Sequence, residues 1–273
     1  MPFFHHDEID FNYEYRGTGP TLVFTHGLSG DLNDTRDLLS PPNGYSLLLW
    51  DVRGHGLTEP LGPAESLSFA QFARDLQALI ASLGIRHAVI GGVSMGAGVS
   101  ARLALNAPHL IRGLILVRPA WLDKRSPEPL NPVQRIAQLL GEDGPIEGRK
   151  RFEQTAEYER VFKIDPLTAK QLCEQFSKPK ALERHIRLQR IPADCPIQSW
   201  NEVSEIKVPT LVIGSNEDFV HPYSYAAEWA NCIPQATLAE VPSKLTNMSV
   251  HQAEVRALIG SFMIKLREEE NLD

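Results

Sequence analysis

The feature that most constrains this chain is the alternation of short apolar runs with amphipathic stretches. Residues 21–25 (TLVFT), 45–50 (YSLLLW), 87–90 (HAVI), 114–117 (LILV), 210–213 (TLVI) and 236–241 (ATLAEV) are of strand length. Four are nearly unbroken apolar runs, as strands buried on both faces of a parallel sheet require. Between them, Phe69, Phe72, Leu76, Leu79, Ile80 and Leu83 share one face of a helix that Gly84 stops. A second helix follows Ser94 and ends before Pro108. A third runs from about Val250 to Leu266. Strands alternating with helices predict a doubly wound, mostly parallel α/β sheet. Residues 9–16 (IDFNYEYR) alternate in polarity and read as an antiparallel edge strand. His5 and His6 sit in an end expected to be mobile.

The alternation breaks over residues 119–208, which hold no convincing strand, several helix-like windows (133–140, 152–162, 167–176) and nine prolines. This stretch reads as a helical insertion between two strands. The 273 residues then divide into a core of 1–118 with 209–273 and an insertion of 119–208. Composition narrows the function. A formal net charge of −7, with no basic run, argues against nucleic acid or anionic membranes as partners. No window approaches the ~18 apolar residues of a membrane span, and no signal peptide precedes the first strand, so a cytoplasmic location is expected. Three cysteines without a CxxC suggest neither a disulfide framework nor a zinc site. Phosphate-loop and dinucleotide motifs are absent and metal ligands do not cluster, so no cofactor or metal is expected. A small molecule is the expected partner. The oligomeric state is open, a homodimer included.

Chemistry enters at Gly92-Val93-Ser94-Met95-Gly96. A G-x-S-x-G pentapeptide alone is a weak signal. Here a strand precedes it and a helix follows, which is what lifts a serine oxygen clear of a sheet. The serine also sits at a helix N-terminus, where N–H groups favour negative charge. The run Thr21–Thr25 leads into His26-Gly27-Leu28, which can supply a second N–H. Leu28 and Met95 are the candidate oxyanion-hole donors. His26 reads as a residue that holds its turn.

FTHGLSGD (24–31), WDVRGHGLT (50–58), GGVSMGAG (91–98), LVRPAW (116–121) and PTLVIGSNEDFVHP (209–222), with the terminal helix, come in one order along the chain. Together they resemble the α/β-hydrolase fold superfamily, in its cofactor-free form with a helical cap between strands 6 and 7. The resemblance covers everything except the insertion. It implies that Asp51, Arg53 and His55 brace loops at the sheet's C-terminal edge, a direct substrate role being the alternative. It implies an order of serine, acid, histidine. Asp218 is the expected acid, with Glu217 next and Asp123 behind it. The place where most relatives carry a Gly-His pair reads Val241-Pro242-Ser243-Lys244-Leu245-Thr246, with no histidine. His251 is the expected base. His221, three residues past Asp218, is the alternative, and a third is that no histidine completes the triad.

The expected activity is hydrolysis of a small apolar ester, lactone or thioester through an acyl-enzyme on Ser94. Acyl transfer, perhydrolysis or C–C hydrolysis with the same nucleophile is one alternative. A hydrolase-like binding protein with little turnover is another. Trp121, Leu122, Phe152, Phe162 and Trp200 are candidate pocket walls. Arg118 is read either as a substrate-carboxylate partner or as half of a structural ion pair.

Overall fold

In a computed structural model, which describes residues 2–39 and 43–270, eight strands form one sheet. They are β1 (Phe3–His6), β2 (Ile9–Gly17), β3 (Thr21–Thr25), β4 (Ser46–Trp50), β5 (Ala88–Val93), β6 (Ile111–Val117), β7 (Thr210–Ser215) and β8 (Ala236–Val241). Their spatial order is β1-β2-β4-β3-β5-β6-β7-β8. From β4 to β8 every pairing is parallel, while β1 with β2 and β2 with β4 are antiparallel. The antiparallel reading of residues 9–16 therefore holds, but β2 is not the edge. The short hairpin strand β1 covers it, and His5, expected in a mobile end, bonds Asp10 at 2.8 Å.

Helices flank both faces. On one side lie α1 (Leu32–Leu38) and, at the end of the chain, α11 (Met248–Glu270). On the other lie α2 (Phe69–Ser82), α3 (Met95–Asn106) and α10 (Tyr223–Cys232). The strands' two-residue period divides the core accordingly. Val23, Leu48, Trp50, Ile90, Leu114, Leu116 and Val212 pack with Phe69, Phe72, Leu76, Val99 and Trp229. Their neighbours Leu22, Phe24, Leu47, Leu49, Val89, Ile115 and Ile213 pack with Leu32, Val255, Ile259 and Met263. Such strands have no polar face, which is why they read as unbroken apolar runs.

Between β6 and β7 the chain is helical: α4 (Asn131–Phe152), α5 (Ala156–Ile164), α6 (Pro166–Glu174), α7 (Ala181–Arg184), α8 (Ile186–Arg190) and α9 (Trp200–Val203). Non-helical Gly144, at φ +72°, kinks α4 just before Pro145. Because β3 to β8 run parallel, their C-terminal ends meet along one edge beneath this insertion.

The loop after β4 is anchored by a fully buried ion pair. Arg53 donates from Nε and NH2 to both oxygens of Asp75 on α2, at 2.9 and 2.8 Å. Arg53 NH2 also reaches the exposed carboxylate of Asp7 at 2.9 Å. Removing Asp75 leaves a buried guanidinium with that outer partner alone among the described residues. Asp75→Ala is expected to lower stability by about 3 kcal/mol, read as a shifted urea midpoint with little change in the slope.

Candidate active site

Ser94 sits between β5 and α3 with φ +58° and ψ −114°. A non-glycine residue in that region is strained by about 1–3 kcal/mol, and its surroundings must hold it there. The flanking glycines permit the turn. A Cβ on Gly92 would lie 2.3 Å from the carbonyl carbon of Gly96, and one on Gly96 would lie 2.1 Å from the oxygen of Thr25. The Ser94 N–H donates to Val117 O at 2.9 Å, tying the turn to the end of β6.

The loop after β3 lies against this serine: a Cβ built on Gly27 would be 3.4 Å from Ser94 Cβ. His26 orients that loop. Val52 N–H donates to His26 Nε2 at 3.0 Å, so Nδ1 carries the proton and donates to Gly27 O at 2.8 Å. Burial lowers the imidazole's pKa, consistent with this neutral form. Gly27 O belongs to the peptide whose N–H is that of Leu28. In a trans peptide the two point in opposite directions, so holding the carbonyl aims the N–H. Among the described residues neither Leu28 N–H nor Met95 N–H has an acceptor, and Met95 opens α3, where intrahelical partners are lacking.

The segment 51–56 braces this arrangement. Asp51 accepts from Leu32 N–H at 2.8 Å, Asn12 Nδ2 at 2.7 Å and Leu57 N–H at 2.9 Å. His55 is buried, with its ring nitrogens 3.0 Å from Arg53 O and Leu28 O.

A cavity of about 390 Å³ opens over Ser94. Its wall includes Leu28, Val117, Arg118, Val220, His221, Lys244 and His251 from the core, and Leu130, Val133, Thr168, Gln171, Leu172 and Gln175 from the insertion. Both candidate bases thus face the same space as the serine. Their partners differ from the expected triad. His251, four residues into α11, is buried, and its Nδ1 bonds the carbonyl of Pro242 at 2.8 Å. A carbonyl only accepts, so Nδ1 is protonated and the Nε2 lone pair is free.

The expected Asp218–His251 hydrogen bond is not made. Asp218 instead takes His221 Nδ1 at 3.0 Å and His221 N–H at 3.2 Å on one oxygen. Arg118 binds the other oxygen from Nε at 2.7 Å and NH2 at 2.6 Å. Burial pushes the Asp218 carboxyl up, but Arg118, His221 and Lys244 outweigh it and hold it well below the usual range. Asp218 is an anion already shared among three cationic or donor groups.

His221 Nδ1 also lies 3.0 Å from Arg118 NH2. One nitrogen can donate to Asp218 or accept from Arg118, not both. His221 Nε2 is buried without a partner. Arg118, held at φ +48°, is thus ion-paired with Asp218 and also lines the cavity. Glu217, the second candidate acid, is exposed at φ +55°. Asp123, the third, lies by a separate cavity with Arg102 and Arg125.

The predicted aromatic walls are a correction. Trp121, Leu122, Phe152, Phe162 and Trp200 do not line the cavity. Trp121 packs edge-on to Phe69 at 5.0 Å, Trp200 on Trp229 at 5.4 Å and Phe152 on Tyr158 at 5.6 Å. Phe162 is exposed. Large rings fill the seams between layers and leave the cavity to smaller side chains. Lys244 and Thr168 also border the site, and no sequence motif marks them. The available signal is that Lys244 lies in the stretch where relatives place a histidine.

His26→Ala removes the group that aims Leu28 N–H. His26→Ala is therefore expected to loosen this loop, read as faster amide hydrogen exchange at Leu28 with exchange in β5 unchanged.

Comparison with known proteins agrees with this geometry. A family model described as alpha/beta hydrolase fold matches residues 20–244. A protein of Azorhizobium caulinodans named as the carbamate hydrolase RutD is 24% identical over 246 residues, covering 88% of this chain and 89% of its own. The sn-1-specific diacylglycerol lipase ABHD11 of Mus musculus is 26% identical, covering 83% and 75%. Among solved structures, a thermophilic esterase from Thermogutta terrifontis superposes with a TM-score of 0.72 at 22% identity, covering 94% of each chain. The enol-lactonase from Burkholderia xenovorans LB400 gives 0.70 at 22%, covering 94% and 98%. The chain, with its strand order and its strained serine at the β5–α3 turn, belongs to the alpha/beta hydrolase fold family.

Proposed function

We propose that this protein is a serine hydrolase that cleaves a small carboxylic ester, lactone or thioester through an acyl-enzyme on Ser94. The observation that carries the reading is the strained Ser94 turn beside two amide N–H groups that lack acceptors among the described residues, at the wall of a cavity shared by the core and the insertion. The hydrolase names borne by the relatives support the general class.

In this mechanism Ser94 Oγ attacks the carbonyl carbon, and the developing oxyanion is taken by Leu28 and Met95 N–H. His251 Nε2 removes the hydroxyl proton and returns it to the leaving oxygen or sulfur. Water then attacks the acyl-enzyme, with His251 again accepting a proton. The Pro242 carbonyl, where a triad has a carboxylate, fixes the His251 tautomer. Burial, with Arg118 and Lys244, disfavours the imidazolium and outweighs the Pro242 hydrogen bond and the Asp218 charge that favour it, leaving the pKa lowered. A base with a depressed pKa remains deprotonated, and so active, to lower pH. The acid-side inflection of kcat/KM is expected below the ordinary imidazole value of 6.5, and an inflection above that value would count against His251.

A second reading exchanges the histidines. His221 holds the Asp218 hydrogen bond that a triad base would have, and its Nε2 is unpartnered. Steady-state hydrolysis of a short-chain 4-nitrophenyl ester separates the two. Ser94→Ala is expected to abolish turnover. His251→Ala is expected to lower kcat by about 10²–10⁴, the usual contribution of a general base, with His221→Ala losing much less. The reverse ranking would assign the base to His221.

A further inference from the structure

Lys244 follows β8 and is buried, 4% exposed in its side chain. Its Nζ lies 2.5 Å from Thr168 Oγ1, 3.3 Å from Asp165 Oδ2 and 3.8 Å from Asp218 Oδ1. Asp165 and Thr168 belong to the start of α6. Asp165 Oδ1 caps that helix by accepting Thr168 N–H at 2.8 Å. Its carboxylate is fully buried, and its Oδ2 has no hydrogen bond and only Lys244 as an ion partner among the described residues. One ammonium thus stands between a carboxylate of the insertion and the carboxylate of the core site.

The two anions depend on it unequally. Asp218 keeps Arg118 and His221 if Lys244 is removed. Asp165 keeps only its own helix N–H. A buried carboxylate without its cation is strongly destabilising, and Asp165 is relieved either by taking up a proton or by movement of the start of α6 until water reaches it. That helix supplies Thr168, Gln171 and Leu172 to the cavity wall. We propose that Lys244 is a positioning residue: by holding Asp165 against the core beside Asp218, it sets where α6 stands over Ser94 and thereby which acyl groups the cavity admits. The acyl-selectivity part rests on the hydrolase reading; the placement of α6 does not.

The test compares the full-length protein with Lys244→Met and with Asp165→Asn/Lys244→Met, which removes both charges. Two readouts are taken: amide hydrogen exchange over 166–174 against that of β5, and the ratio of kcat/KM for 4-nitrophenyl octanoate to that for the acetate. Lys244→Met is expected to speed exchange in α6 selectively and to shift the ratio by about tenfold, the discrimination that a methylene-sized change in a pocket supplies. The double variant is expected to restore most of both. Unchanged exchange and ratio in Lys244→Met would overturn the proposal, as would a double variant no better than the single one. Should Lys244→Met not fold, a folded double variant supports the link and an unfolded one contradicts it. If the wild type cleaves neither ester, the hydrolase reading falls and exchange alone decides the role of Lys244.

Discussion

The site depends on a close approach of backbones. α3 starts so near the ends of β3 and β5 that neither Gly92 nor Gly96 has room for a Cβ. This contact sets the angle at which β5 turns into α3, and the angle forces Ser94 into a conformation that only surrounding packing sustains. It also brings the loop after β3 against the serine, so one steric constraint both presents the Ser94 side chain and seats the loop that carries the Leu28 amide next to it. The layers of apolar side chains on both faces of the sheet make the strands rigid enough to hold that approach.

Above the turn, polar groups are organised by burial. His26 is neutral, its tautomer set by one donor and its second nitrogen spent on the Gly27 carbonyl. Asp218 is ionised and shared by Arg118, His221 and Lys244. His251 carries its proton on Nδ1 against a carbonyl. In a familiar triad the carboxylate both orients the imidazole and stabilises its charge. In this chain the Pro242 carbonyl holds the His251 imidazole and favours its charged form, the Asp218 charge adds to that, and burial, Arg118 and Lys244 outweigh both, so the pKa is lowered.

The fold was legible because its strands are buried on both faces and its helices on one: the two patterns differ in period, and local sequence carries both. The elbow was legible for the same reason, since glycine at 92 and 96 reports a local steric need. β1 and α1 escaped because Phe3–His6 is short and Leu32–Leu38 is mostly polar, stabilised by an Asp31 capping box and not by an apolar stripe. The partners of His251 and Asp218 are set by which loops fold beside one another. Nothing near His251 in the chain reveals that Pro242 would hold it, and nothing near Lys244 reveals Asp165, 79 positions earlier. The aromatic walls were misassigned because helical spacing says that a ring is buried, not which layer it faces.

If Ser94 carries the acyl group, the mass of the protein during turnover reports it. After rapid acid quenching of a reaction with a short-chain 4-nitrophenyl ester, one added acyl mass is expected. Peptide mapping is expected to place it on Ser94, and it should be absent from Ser94→Ala. An adduct that maps to another residue, or turnover that survives in Ser94→Ala, would contradict this.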